Sequence, residues 1–182
     1  MIAWEITRAS AFVAFGTYTL SVTWGILVAS RTLPAPAKPE FDYHRFLSSL
    51  GLAATAIHVV TVLIHHANGV HWPALFYVGA RPAAVAGVTA TWLIVLLPLS
   101  FKLKQRKRLS TGAWRRLHYL GYAVWVIALL HALGAGTDTQ SGAALAGYGL
   151  ATGVVATAAT WRLVSRRPAR VPAPRAGRSA SP

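Results

Sequence analysis

The sequence predicts an all-α integral membrane protein, a bundle of about five transmembrane helices with the N-terminus outside and the C-terminus cytoplasmic. Three observations predict it. Apolar residues make up 54% of the chain and fall in runs. Charged residues are only 12%, against about a quarter in soluble domains. The basic residues lie in the connections and the tail, none in the middle of an apolar run.

A helix that crosses about 30 Å of hydrocarbon needs roughly 20 apolar residues, and five stretches meet that length. The first runs from about Ala9 to Ser30, the second from about Tyr43 to His66, and the third from about Pro82 to Phe101. The fourth spans about Ala113 to Leu133 and the fifth about Ser141 to Trp161. The first reads as a span and not a cleavable leader, because Met1-Ile-Ala-Trp-Glu5 has no basic opening and the apolar run is too long. Backbone groups in lipid must be satisfied within the spanning structure, which leaves helices or closed barrels. The length of the runs and their lack of strict alternation favour helices. The domain so defined covers residues 1–164.

Loop charge sets the expected orientation. The connection Arg31 to Arg45, the connection Lys102 to Arg116 and the tail from Arg162 together hold sixteen Lys or Arg, whereas Arg8 and Arg81 stand alone on the other side. Cytoplasmic loops carry that excess, so the expected setting is a plasma or inner membrane crossed several times. The formal charge of +14 is accounted for by this bias and by anionic lipid, and nucleic acid is not an expected partner. Residues 165–182, rich in Pro, Ala, Arg and Ser, read as a disordered basic cytoplasmic tail. Leu33-Pro-Ala-Pro-Ala-Lys-Pro39 reads as a stiff connector. With no Cys in the chain, thiolate metal sites and disulfides within it are excluded.

Ionisable groups inside a membrane are costly and mark function, and here they are nearly all histidines. The second span carries His44 and His58, 14 residues apart; the fourth carries His118 and His131, 13 residues apart. Both spans start on the same side, so the intervals of about 21 and 20 Å place His44 level with His118 and His58 level with His131. One histidine from each of two helices at each of two depths is what two bis-histidine haems require. Phase fits less well, because 13 residues leave His131 about 140° from His118 on an ideal helix. A tilt, the breadth of the ring, or a distortion near Gly121 must absorb the offset. Arg45, Arg115 and Arg116 flank the first level and suit haem propionates, though they also read as ordinary loop cations; Arg81 is the base nearest the second. Trp125 lies between His118 and His131, to pack between haems or face lipid. Gly51 and Gly121 would admit a macrocycle or a neighbouring helix. His65, His66 and His71 end the second span and begin the next loop, as interfacial anchors or as candidates for metal binding or proton delivery.

The segment Tyr43-His-Arg-Phe-Leu-Ser-Ser-Leu-Gly-Leu-Ala-Ala-Thr-Ala-Ile-His58 resembles a ligand helix of the ferric reductase-like transmembrane domain. Trp114-Arg-Arg-Leu-His-Tyr-Leu-Gly-Tyr122, with His131, resembles the other. That superfamily holds ferric reductases, NADPH oxidases and the haem subunit of a bacterial methionine sulfoxide reductase system. Gly134-Ala-Gly-Thr-Asp138 and the opening Trp4 to Ala11 also resemble bacterial members, so the resemblance covers about Trp4 to Arg162. It implies that His44, His58, His118 and His131 are the iron ligands of two haems b. Many members continue into a flavin and nicotinamide domain, and no Gly-rich strand-to-helix fingerprint for one stands here; Gly147-Tyr-Gly149 falls inside a span. The expectation is therefore an oxidoreductase subunit with no flavin or NAD(P)H site of its own. Its electrons would come from a cytoplasmic or membrane donor, a flavoprotein or quinol, and pass to ferric iron, oxygen or a redox protein on the outer face. Two other readings stay open at this point: a quinol-linked cytochrome b subunit, and a haem-free proton relay or scaffold.

Overall fold

A computed structural model describes residues 2–30, 43–65, 72–76 and 81–165. Every regular element among them is helical: α1 (Ile2–Ala29), α2 (Tyr43–His65), α3 (Pro82–Gln105), α4 (Thr111–His118), α5 (Leu120–Ala135) and α6 (Gly142–Val164). Short 3-10 turns cover Trp72–Leu75 and Thr137–Gln140. Five stretches are long and apolar enough to cross a membrane, with α4 and α5 together forming the fourth. The chain has the make-up of a multi-pass membrane protein. The connector at residues 33–39, His66, His71 and the tail beyond Ser165 lie outside the described residues.

The helices alternate in direction. α1 packs along α2, α3 along α5, and α6 beside α1, with a smaller contact between α1 and α5. Side chains turn the soluble pattern inside out. Phe12, Leu20, Ile57, Val60, Leu130 and Leu150 are exposed, whereas Thr7, Ser10, Thr17, Thr19, Ser21 and Ser100 are buried. Lipid is as apolar as leucine, so close approach of small residues holds membrane helices together. α1 shows how. Thr7, Ser10, Ala14, Thr17 and Ser21 are all buried and recur at alternating steps of three and four, which makes a straight seam along one helix face. The hydroxyls of Thr7, Ser10 and Thr17 bond back to carbonyls one turn earlier, as from Thr7 to Ala3 (2.9 Å) and Thr17 to Val13 (2.8 Å), and Ser21 Oγ bonds across to α2, so none brings an unsatisfied donor into the contact. Gly51 of α2 sits against this seam, where a Cβ would lie 3.0 Å from Thr17 Oγ1 and from the Tyr18 ring.

α3 and α6 run on to Gln105 and Val164, about a turn or less past the expected Phe101 and Trp161, and two departures are larger. α1 begins at Ile2 rather than near Ala9, because the polar residues of its first turns all find partners. Arg8 bonds to Glu5 and makes a two-point ion pair with Asp138, through Nε–Oδ2 (2.9 Å) and Nη2–Oδ1. The fourth span is broken in two. At Tyr119 the helical bonding is interrupted, and Tyr122 N–H donates to Tyr119 C=O (3.1 Å) in a tightened three-residue turn. Such a turn advances about 20° further per residue than an α-helix, which reduces the phase offset between His118 and His131. The distortion expected near Gly121 lies two residues earlier.

Candidate functional site

The four histidines form two facing pairs. The ring centroids of His44 and His118 are 5.8 Å apart with planes inclined at 78°. Those of His58 and His131 are 6.2 Å apart and inclined at 76°. Each pair joins α2 to the α4–α5 span, and the two levels stand 14 residues apart along α2. α2 and α5 belong to different hairpins and do not pack closely on one another, so the pairs bridge a gap between them.

Three of the rings are held by a backbone carbonyl of a neighbouring helix. His44 Nδ1 lies 2.9 Å from Ser21 O, His58 Nδ1 lies 3.0 Å from Thr7 O, and His131 Nδ1 lies 2.8 Å from Ala83 O. A carbonyl oxygen only accepts, so in each ring Nδ1 carries a proton, and in the neutral ring Nε2 keeps its lone pair. That is the tautomer of a metal-ligating imidazole, whose outer hydrogen bond fixes its orientation and raises its basicity.

The acceptors have a pattern. A helical carbonyl at position i already receives the N–H of residue i+4, and its second lone pair is reached past that residue's side chain. A small residue at i+4 opens the way. Gly25 follows Ser21 by four, and a Cβ there would lie 3.4 Å from His44 Cε1. Gly87 follows Ala83 by four, and a Cβ there would lie 2.6 Å from His131 Cε1. Ala11 takes the same place after Thr7. Thr7 and Ser21 are 14 residues apart on α1, as His58 and His44 are on antiparallel α2. The seam that packs the hairpin therefore delivers one acceptor to each level.

Ser21 adds a polar cluster at the first level, its Oγ lying 3.0 Å from His44 Nδ1 and 2.8 Å from Ser48 Oγ. His118 is held otherwise, by the Trp114 ring one turn earlier (centroids 5.1 Å apart, 23° between planes). Arg45 and Arg115 are both exposed beside the first level, Arg45 next to His44 and Arg115 one turn before His118. Arg81 is exposed at the N-cap of α3, two residues before Ala83.

Several neighbouring residues have other work. Trp125 is buried and donates from Nε1 to Thr19 Oγ1 at 2.9 Å, so it ties α5 to α1 and does not face lipid. A Cβ on Gly121 would meet Leu97 of α3 at 3.8 Å, and Gly51 faces α1, so both glycines serve helix packing. His65 is exposed and its ring meets Trp4 (5.7 Å) away from both levels. Among the described residues no three His, Asp or Glu side chains gather as a metal site. Sequence reasoning missed Ser21, Thr7, Ala83, Gly25 and Gly87. The signal was present as matching 14-residue intervals on adjacent spans, but nothing in it said which face of α1 meets α2. Comparison with protein-family models, with curated proteins and with solved structures found no match for this chain.

Proposed function

We propose that this chain is a b-type dihaem subunit with a ferric reductase-like transmembrane domain, carrying electrons across a plasma or inner membrane. The observation that carries the reading is the pairing of four histidines at two depths, three of them locked in the ligating tautomer. The donor set suits this group. Two imidazoles without a third side-chain ligand leave a typical four-coordinate metal site incomplete, but they complete an iron whose other four positions belong to a macrocycle. Metal–nitrogen bonds of about 2 Å on each side would set the two ring centroids about 6 Å apart, in line with 5.8 and 6.2 Å.

His44 and His118 would hold one haem and His58 and His131 the other, and a haem supplies a one-electron iron couple whose potential its ligands tune. The carbonyls of Ser21, Thr7 and Ala83 keep three rings from turning, so little rearrangement accompanies a change of charge between them. Arg45 and Arg115 offer cations to propionates at the first level. The loop charges support a first level near the cytoplasm, fed by a flavoprotein or quinol, and a second level near the outer face, serving ferric iron, oxygen or a redox protein.

Purification after expression with ample haem supply tests the reading. About two low-spin b-type haems per chain are expected by pyridine haemochrome assay. A protein with no Soret band would favour the haem-free relay or scaffold.

A further inference from the structure

We propose that Trp114 is the positioning residue of the first level, holding His118 by ring stacking where the other three ligands are held by a backbone carbonyl. The proposal rests on the dihaem reading and goes beyond it. His44, His58 and His131 each donate Nδ1–H to a carbonyl on a neighbouring helix. Among the described residues the His118 ring makes no hydrogen bond, and its ring contacts are His44 at 5.8 Å and Trp114 at 5.1 Å.

The local structure explains why a substitute is needed. His118 is the last residue of α4, and the interruption at Tyr119 separates it from the packed helix α5. α4 buries none of its own residues, and Trp114 supplies its ring contact with α3. The end of α3 also meets the indole. Lys104 Nζ stands 4.0 Å from its centroid, in a cation–π contact, and the Phe101 ring is 6.1 Å away. Its Nε1 is buried with no hydrogen-bond partner among the described residues. The indole is thus located by contacts from α3 and from His118, whose ring lies 23° from parallel to it.

Two consequences follow. Stacking fixes the plane of the His118 ring but does not polarise its Nδ1–H, so His118 is a weaker donor to iron than its three counterparts. It is also the ligand most easily displaced. The first level would therefore be the less tightly held and more readily reduced of the two.

The test is Trp114→Leu against Trp114→Phe in the full-length protein, read by haem content, electron paramagnetic resonance and a redox titration. Trp114→Leu removes the stack, and the first level is expected to hold its haem about tenfold or more weakly, with loss of one low-spin signal. The second level, whose ligands are untouched, serves as the control for folding in the same sample. Trp114→Phe keeps an aromatic face and is expected to restore both signals. Two unaltered low-spin signals in Trp114→Leu would overturn the proposal, as would equal loss of both in Trp114→Phe. If Trp114→Leu does not accumulate, Phe101→Leu with Lys104→Gln removes the α3 side of the clamp, and the same selective loss is expected. Unchanged signals there would also overturn it. Absence of haem from the unmutated protein would instead defeat the dihaem reading, so the two failures are distinguishable.

Discussion

In His44, His58 and His131 the two ring nitrogens have different surroundings, Nδ1 facing a backbone carbonyl of a neighbouring helix. Where Nδ1–H is bonded to a carbonyl, Nε2 is left with a lone pair and a fixed direction. The pairing seen in the structure makes a pattern of losses that residue type alone would not. His44→Ala and His118→Ala are each expected to remove the same low-spin signal, and His58→Ala and His131→Ala the other. A double variant within one level should add little to either single change, because residues that share a site are not additive. His65→Ala should leave haem content near normal. Spectra of the single and double variants check this; a signal shared by His44→Ala and His131→Ala would mean that the levels are paired differently.

At the scale of elements, both hairpins solve the same problem. α1 brings acceptors to α2, and α3 brings one to α5, in each case by a close approach at small residues. Gly87 is the tightest instance, with a Cβ placed 2.6 Å from Cε1 and 2.7 Å from Nδ1 of His131. The ring cannot yield without breaking its bond to Ala83 O (2.8 Å). Gly87→Ala is expected to weaken retention at the second level about tenfold or more while sparing the first, measured as haem content and low-spin signal per chain. Equal retention at both levels would show that α3 shifts to accommodate the methyl group. The ion pair of Arg8 with Asp138 joins α1 to the α5–α6 connection, near Thr7 and His131. Its members lie 130 residues apart, and loop charge counts Arg8 as a free cation when it is neutralised by an acid across the bundle.

For the whole molecule, alternating helices place Thr7, His58, Ala83, His131 and Asp138 at one end and Ser21, His44, Lys104 and His118 toward the other. Sixteen of the eighteen Lys and Arg fall in segments assigned to this second side. The expected outcome of fusing reporters after Pro182 is activity from a cytoplasmic reporter and none from a periplasmic one. The opposite result would invert the membrane and put the His58–His131 level next to the cytoplasm.

Several of these features were legible in the chain because they depend on periodicity along a single helix. Five apolar runs of sufficient length give five spans, since lipid admits no unsatisfied backbone. Equal rise per residue puts His44 opposite His118 and His58 opposite His131 once the spans are counted. The start of α1 and the exact place of the break at Tyr119 were not legible, because they follow from partners distant in sequence and from hydrogen bonding within one turn. Nor were Thr7, Ser21 and Ala83, which act through carbonyls that every residue carries, so residue type gives no sign of them. Which carbonyl meets which ring is decided by the face that small residues present to a neighbouring helix. The sequence by itself determined the spans and the depths of the histidines. The tertiary structure alone decided their tautomers, the glycines that admit them, and the different footing of His118, because these arise from the distance between helices and not from position along one.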